Sequence, residues 1–257
     1  MSKEYAEKFK LSELMVVAAA REIKDGELVI VGTGLPILAA ALAKRTHAPN
    51  SIMAMEHGAF DFTFTRAPRS IVDPDLTLGA AMAGDMFDML GSVVQGGNAD
   101  VGFLGAAQID IYGNINTTVI GDLLKPKVRL PGSGGANDIA SSAKRVVIII
   151  RHEKEKFVEK VDYITSPGYL NGPGAREKAG LRGGGPSVVI STMGTFRFDD
   201  KTKEMYLDTY HPGITIEQVR QNTGFHLKVS PSVRETEPPT VQQINILREV
   251  DREGLFL

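Results

Sequence analysis

The chain has 257 residues, 42% of them hydrophobic and 23% charged, which is typical of a globular protein with one or two domains. Its net charge is −2 and its Lys and Arg residues are scattered, so we expect no nucleic-acid partner. The lack of cysteine excludes disulfides, thiolate metal ligands and a cysteine nucleophile, and we expect no metal site. The charged N-terminus lacks the apolar core of a signal peptide, and no segment approaches the ~20 apolar residues of a membrane span. We therefore expect a cytoplasmic protein without membrane contact.

Helices and strands alternate in the pattern of an α/β protein up to Glu56. The predicted elements are a helix that begins at the N-cap Ser12 and stops at Gly26, a strand over 27–31, a helix over 37–45 and a strand over 51–55. Glu56 directly follows the second strand. Ligands of open α/β sheets bind at the carboxyl ends of the strands, so Glu56 is predicted to lie at the ligand-binding edge.

The rest of the chain continues this pattern and then becomes rich in strands. Two T-x-x-Q capping boxes, at Thr215 and Thr240, predict the last two helices. We expect one α/β domain over 1–257 with a β-rich C-terminal part. The predicted elements are helices over 82–90 and 138–144, strands over 101–104 and 146–150, a glycine-rich ordered loop over 168–185, strands over 187–191, 195–199 and 204–207, and helices over 216–222 and 241–252.

The first glycine motif is the turn Gly32-Thr33-Gly34, between a predicted strand and helix. The third glycine of a dinucleotide fingerprint is missing, because position 37 is Ile. Two interpretations stay open: the glycines allow a tight turn, or the backbone binds an anion such as a CoA phosphate at the helix N-terminus.

Glu56 is the first candidate for chemistry. It lies between an apolar strand and the loop that starts at His57. A carboxylate that loses solvent becomes a better nucleophile toward an acyl carbon if an oxyanion site is nearby. A salt-bridged loop glutamate is the alternative, and His57 on its own is typical of a solvated side chain.

Two glycine-rich segments supply candidate oxyanion donors. The segment Gly105-Ala106-Ala107-Gln108 follows a strand and brings the Gln108 carboxamide to the same sheet edge. The segment 131–138, Pro-Gly-Ser-Gly-Gly-Ala-Asn-Asp, exposes successive backbone N–H groups before a helix, as an oxyanion site requires. A turn that only redirects the chain is the alternative for this second segment.

Several motifs together resemble the β subunit of glutaconate CoA-transferase, a family I CoA-transferase, in collinear order over essentially the whole chain. They are Val31-Gly32-Thr33-Gly34-Leu35-Pro36, Glu56-x-Gly58, Gly105-Ala106-Ala107-Gln108-Ile109-Asp110-x-Tyr112-Gly113-Asn114-x-Asn116, Gly132-Ser133-Gly134-Gly135-Ala136-Asn137, His152-Glu153-Lys154, Asp162-Tyr163-x-Thr165-Ser166-Pro167-Gly168 and Asn222-Thr223-Gly224-Phe225.

The resemblance implies the family fold, an open and mainly parallel sheet with helices on both faces, and a ping-pong transfer of CoA between an acyl-CoA and a carboxylic acid. Coenzyme A is then a substrate, and no cofactor is bound permanently. The catalytic glutamate of the family corresponds to Glu56, whereas His57 receives no chemical role. The resemblance further implies oxyanion or substrate contacts from Gln108, Gly134, Gly135, Ala136 and Asn137.

The resemblance also implies a partner, because the family's substrate-binding serines lie on an α subunit. We therefore expect a hetero-oligomer of αβ units. Relatives of this β subunit also act as CoA-ester decarboxylases or carbon–carbon bond hydrolases, and retention of Glu56 favours transfer because the decarboxylase relatives lack it. A non-catalytic CoA-binding subunit is the remaining alternative.

Overall fold

The structure is a computed structural model that describes residues 3–32, 34–64, 66–71, 73–77 and 79–257. The helices are α1 (Leu11–Ala20), α2 (Leu35–Lys44), α3 (Ala136–Ser142), α4 (Ala175–Lys178), α5 (Ile216–Gln221) and α6 (Val241–Val250), with a 3-10 turn at Pro74–Leu76 and a π-helical segment at Phe87–Gln95. The strands are β1 (Leu28–Ile30), β2 (Ile52–Ala54), β3 (Ala59–Phe60), β4 (Met82–Ala83), β5 (Val101–Gly105), β6 (Gln108–Ile109), β7 (Ile115–Asn116), β8 (Val119–Gly121), β9 (Pro126–Arg129), β10 (Arg145–Ile150), β11 (Pro186–Ser191), β12 (Gly194–Phe198), β13 (Met205–Tyr210) and β14 (Lys228–Glu235).

Ten of these strands form one sheet, in the order β14-β13-β12-β11-β10-β5-β1-β2-β3-β4. The five central strands, from β11 to β2, are parallel to one another. Antiparallel pairing extends the sheet on both sides, through β12 and β13 on one and through β3 and β4 on the other, and the outermost strand β14 is parallel to β13. The predicted open, mainly parallel sheet with a β-rich C-terminal part is confirmed.

Helices cover both faces of the sheet, as predicted. Helices α1, α2 and α6 share one apolar core with the sheet, whereas α3 and the π-helical segment pack together on the opposite face. The central strands read as nearly continuous apolar runs because both of their faces are buried. Their carboxyl ends therefore meet at one edge, where the loops after β1, β2, β5 and β10 come together.

The first helix is shorter than the prediction from Ser12 to Gly26. It begins after Lys10 and ends at Ala20. The N–H of Ile23 then donates to the Ala20 carbonyl at 3.1 Å, and this tight turn buries the Ile23 side chain in the core. Gly26 does have a positive φ of 80°, but it lies in the next turn, before β1.

The predicted helix over 82–90 is wrong in its first half. Met82 and Ala83 form strand β4, which pairs with β3. The next residue, Gly84, donates its N–H to the Gly58 carbonyl at 2.9 Å, and the helical segment starts only at Phe87. The apolar pattern at 82–90 does not distinguish a short strand from a helix.

The C-terminal capping boxes are confirmed. The hydroxyl of Thr215 accepts from the Gln218 N–H at 3.2 Å, and Thr240 accepts from the Gln243 N–H at 3.2 Å. The loop predicted over 168–185 contains the single-turn helix α4. No helix in the described ranges has both the length and the apolar composition that crossing a bilayer requires.

Candidate active site

Glu56 lies at the tip of a tight turn between β2 and β3. The Met55 carbonyl accepts from the Gly58 N–H at 3.0 Å, and the Met55 N–H donates to the Ala59 carbonyl at 2.9 Å. Glu56 and His57 are thus the two central residues of a hairpin turn, and both are half-buried. Since β2 is a parallel strand of the central sheet, this turn places Glu56 at the carboxyl edge, as predicted.

Gly58 fixes the turn against the neighbouring strand. Its φ is 120°, a region that residues with a side chain rarely adopt. A Cβ atom at position 58 would overlap the Gly84 carbonyl group. The Glu56-x-Gly58 step therefore needs glycine so that the turn and the segment after β4 can lie in contact.

The glycine segment before α3 closes over the carboxylate of Glu56. A Cβ atom added to Gly135 would lie 2.9 Å from Oε2 of Glu56 and 3.0 Å from Cδ2 of Leu90, and one added to Gly134 would lie 3.8 Å from Oε1. Helix α3 leads back into β10, so its N-terminal end lies at the carboxyl edge of the sheet. The structure thus brings together Glu56, Gly134 and Gly135.

The charge of Glu56 is not neutralised by any side chain in the part of the protein that the structure describes. Its carboxylate forms no hydrogen bond or ion pair with another residue of the described ranges. The salt-bridged loop glutamate that the sequence left open is therefore not observed. A carboxylate that faces a glycine backbone without a counter-charge is free to react as a nucleophile.

His57 is less solvated than its loop position suggests. Burial lowers the pKa of its imidazole, and the adjacent Glu56 charge opposes this effect only in part. Its Nδ1 atom is shielded from solvent and has no hydrogen-bond partner among the described residues. A neutral imidazole is thus favoured beside Glu56, and it offers the carboxylate no positive charge.

The backbone around Gly135 offers unused donors. The N–H groups of Gly134 and Gly135 have no hydrogen-bond partner within the described parts of the chain, whereas the Ala136 N–H donates to the Ser133 carbonyl at 2.9 Å. The Asn137 side chain is exposed and accepts a long hydrogen bond of 3.4 Å from the Ser141 hydroxyl. Contacts of Ala136 and Asn137 with substrate remain predictions. A contact through the Ala136 N–H requires its hydrogen bond to the Ser133 carbonyl to break.

Gln108 is held by the protein itself. It is 5% exposed, its Nε2 donates to Asp162 Oδ2 at 3.1 Å, and its Oε1 accepts from Asn116 Nδ2 at 2.7 Å. Both ends of the carboxamide are therefore engaged, although Nε2 has a second N–H. A contact between Gln108 and substrate stays a prediction.

The turn after β1 lies at the same edge as Glu56, because the Val31 N–H donates to the Ala54 carbonyl at the end of β2. Gly32 and Gly34 are half-buried there, and Gly34 is the N-cap of α2. Thr33 falls outside the described residues. Anion or CoA binding at this turn stays a prediction.

Leu90 is a site residue that the sequence did not reveal. It lies in the π-helical segment, and its methyl groups would lie 3.0 and 3.3 Å from a Cβ atom on Gly135. Leu90 and the Glu56 carboxylate therefore both lie beside Gly135. No local motif marks this leucine, because its role depends on the packing of that segment against α3.

The geometry of this edge agrees with the comparisons with known proteins. The model of the Coenzyme A transferase family matches residues 12–222, which is most of the chain. This chain belongs to the Coenzyme A transferase family. The resemblance found in the sequence motifs is confirmed, and so is CoA transfer as the activity of the family.

Two similar relatives are named as B subunits of CoA-transferases, and each match covers nearly all of both chains. That of glutaconate CoA-transferase from Acidaminococcus fermentans is 43% identical over 242 residues, covering 92% of this chain and 90% of that protein. That of 3-oxoadipate CoA-transferase from Pseudomonas knackmussii is 43% identical over 243 residues, covering 95% and 94%.

Solved structures support the same fold. The crystal structure of the Acidaminococcus fermentans glutaconate coenzyme A-transferase superposes with a TM-score of 0.91 at 40% identity, over 98% of each chain. The structure of the decarboxylase AibA/AibB superposes with a TM-score of 0.82 at 27% identity, over 96% of this chain and 97% of that one. The family scaffold thus also occurs in a decarboxylase.

Proposed function

We propose that this chain is the β subunit of a two-subunit CoA-transferase and that Glu56 carries first the acyl group and then CoA. The observation that carries the proposal is the half-buried Glu56 carboxylate, which has no counter-charge among the described residues and lies against the backbone of Gly134 and Gly135. We also propose that the chain forms one domain, because the strands of a single sheet are spread over the chain from Leu28 to Glu235.

In the first half of the reaction, a Glu56 oxygen attacks the carbonyl carbon of the acyl-CoA thioester. The carbon–sulfur bond breaks, CoA leaves as the thiolate, and an acyl-glutamyl anhydride remains. The thiolate then attacks the side-chain carbonyl carbon of Glu56, and the acyl group departs as a free carboxylate. The product is a glutamyl-CoA thioester, and an incoming acid reverses both steps.

The glycine segment would stabilise the negative charge that forms in each attack. Both attacks pass through a tetrahedral oxyanion, and fixed backbone N–H groups stabilise such a charge without reorganising. The N–H groups of Gly134 and Gly135, which have no partner in the described ranges, are the donors that we assign to this role. Exclusion of water from the site would protect the anhydride and the thioester from hydrolysis.

The α subunit is the proposed partner, because both relatives at 43% identity are named as B subunits. Two exposed apolar side chains near the site support a partner there, since Met86 is 58% exposed and Phe87 is 77% exposed. Both closely follow Gly84, which is hydrogen-bonded to Gly58. The same two relatives are named for glutaconate and 3-oxoadipate, so we propose a dicarboxylic acid as one substrate.

The test is covalent loading of Glu56. The αβ complex, purified through a tag on this chain, is incubated with acetyl-CoA without an acceptor acid and then reduced with borohydride. We expect a glutamyl thioester to become an alcohol, so that the peptide with Met55, Glu56 and His57 loses one oxygen and gains two hydrogens. Label at another residue would exclude the assignment of Glu56.

A variant completes this test. Glu56→Gln should abolish both labelling and transfer to glutaconate or 3-oxoadipate while the complex still assembles, because the substitution keeps the size of a half-buried turn side chain. Near wild-type transfer by Glu56→Gln would exclude the ping-pong role. Loss of carbon dioxide from an acyl-CoA without transfer would favour the decarboxylase alternative.

A further inference from the structure

Thr117 ties the start of the glycine segment to the body of the protein. It follows strand β7, and its hydroxyl donates to the Gly132 carbonyl at 2.7 Å. The Gly132 N–H in turn donates to the Thr117 carbonyl at 2.8 Å. Gly132 is therefore held on both sides by one residue, shortly before the chain reaches Glu56 at Gly134 and Gly135.

Thr117 is itself fixed by Thr165. The Thr117 N–H donates to the Thr165 hydroxyl oxygen at 2.9 Å, and the Thr118 hydroxyl lies 2.7 Å from the same oxygen. The Thr165 N–H donates to the Ile115 carbonyl at 2.8 Å, so Thr165 is held by β7. Thr165 is buried and belongs to the motif that begins at Asp162, for which the catalytic scheme provides no role.

The hydrogen-bond network continues into the core through Asn116. This residue is fully buried, and its Oδ1 accepts from the N–H groups of Thr118 at 3.0 Å and Val119 at 3.3 Å. Its Nδ2 donates to Gln108 Oε1, and Gln108 Nε2 donates to Asp162. Connected hydrogen-bond networks of this kind make a backbone conformation rigid.

We propose that Thr117 is a positioning residue that holds the glycine segment over Glu56, with Thr165 fixing its conformation. The proposal rests on the proposed function, because it needs Glu56 as the reacting group. A run with three glycines has few conformational restraints of its own, so the position of the oxyanion donors depends on what holds its first residue. Small displacements of a catalytic group slow a reaction far more than they weaken substrate binding.

The experiment uses the αβ complex with acetyl-CoA as donor and glutaconate and 3-oxoadipate as acceptors. Thr117→Val removes the hydroxyl and keeps the shape, Thr117→Ala removes the hydroxyl with less bulk, and Thr117→Ser restores it. The matched control is Thr46→Val, because the half-buried Thr46 also donates its hydroxyl to a backbone carbonyl at 2.7 Å, at the end of α2. For each variant, kcat, the KM for acetyl-CoA, Tm and the rate of glutamyl-CoA formation are measured.

We expect Thr117→Val and Thr117→Ala to lower kcat and the rate of glutamyl-CoA formation about ten- to hundred-fold, with the KM for acetyl-CoA nearly unchanged. Thr117→Ser should recover most of the rate, and Thr46→Val should keep it. The Tm of Thr117→Val and of the control should fall by similar amounts, about 2 to 4 °C.

Equal kcat values for Thr117→Val and Thr46→Val would overturn the positioning role. So would a loss of rate that follows Tm and is not recovered by Thr117→Ser, since a merely structural residue predicts that result. A wild-type complex that forms no glutamyl-CoA would instead reject the proposed function, and the positioning role with it.

Discussion

Gly135 lies so close to Glu56 that a single added carbon would contact the carboxylate. The ideal Cβ position on Gly135 is 2.9 Å from Oε2 of Glu56, which is closer than side-chain carbons approach in folded proteins. Glycine at this position therefore does more than turn the chain. It allows a backbone whose N–H groups have no partner among the described residues to approach the atom that is proposed to react.

Gly135→Ala should therefore slow transfer far more than it destabilises the protein. The new methyl group is too close to both the carboxylate and Leu90, so the carboxylate must move away from the backbone donors of Gly134 and Gly135. Loss of one such donor lowers kcat by about 10²–10³ in comparable sites. The measurements are kcat in the αβ complex with acetyl-CoA and glutaconate, and Tm by thermal unfolding.

Gly105→Ala is the control for this prediction. Gly105 ends β5, its φ is not in the positive region, and the nearest atom to an added Cβ is the Ile149 carbonyl oxygen at 4.0 Å. This variant should keep kcat within about threefold of wild type. Similar losses of kcat in both alanine variants would show that the contact with Glu56 has no special role.

The contact between Gly135 and Glu56 could not be predicted from local sequence patterns. Strand alternation and apolar runs placed Glu56 at the end of a parallel strand, and glycine content indicated a backbone donor segment before a helix. Their meeting depends on the sheet order, in which β1 lies between β5 and β2, and on the packing of α3 against β5 and β10. No local pattern contains that order, and only the family resemblance joined the two segments.

The missed elements have local physical reasons. Strand β14 is the outermost strand beside β13, contains Pro231 and is largely exposed, so it lacks the apolar alternation that identifies a strand. The helix predicted over 82–90 failed because Gly84 must pass directly beside Gly58. The capping boxes at Thr215 and Thr240 succeeded because their hydrogen bonds are local.

His57→Asn should change transfer by less than about tenfold, because a neutral side chain replaces an imidazole that is already favoured as neutral. Burial lowers the pKa of His57, so its protonation should not contribute to rates above about pH 6.5. The profile of kcat/KM between about pH 6.5 and 8 should keep its shape in the variant. A fall of a hundredfold, or the loss of an inflection in that range, would assign a chemical role to His57.

The chain without its α subunit should fold but not transfer CoA. The sheet and both helical layers are formed from this chain alone, whereas the exposed Met86 and Phe87 border the proposed site. Circular dichroism and Tm report folding, and release of CoA from acetyl-CoA with glutaconate reports activity. Addition of the α subunit should restore transfer, and full activity of the isolated chain would contradict the two-subunit proposal.

Acid should destabilise the protein through two buried histidines that contact Ser191 at the carboxyl end of β11. Both rings are hydrogen-bonded, His152 to the Ser191 and Thr223 hydroxyls at 3.0 and 3.1 Å, and His211 to the Thr236 hydroxyl and the Ser191 carbonyl at 2.9 and 2.8 Å. Burial lowers the pKa of His152 to about 3 and that of His211 to about 4.

These lowered pKa values set the direction and range of the effect. An unfolded histidine has a pKa near 6.5, so below that pH the unfolded chain binds protons that the folded chain excludes. Stability is fully present above about pH 6.5 and is lost as the pH falls toward 4 and 3. For His211 the loss between pH 7 and 5 is about 2 kcal/mol, or about 4 to 8 °C in Tm.

His211→Gln should remove its part of this loss while keeping a side chain that can hydrogen-bond to Thr236 and Ser191. We expect the variant to have a lower Tm than wild type at pH 7 but a smaller fall of Tm between pH 7 and 5. His226→Gln is the control, because His226 is exposed, and it should keep the wild-type fall. Carboxylates such as Glu13, which has a lowered pKa and pairs with Arg248, add to the acid loss in all three proteins. The charge of His211 also lowers the pKa of His152, so the difference reports His211 together with its effect on His152. An identical fall of Tm in His211→Gln and wild type would mean that His211 does not titrate differently in the folded and unfolded states.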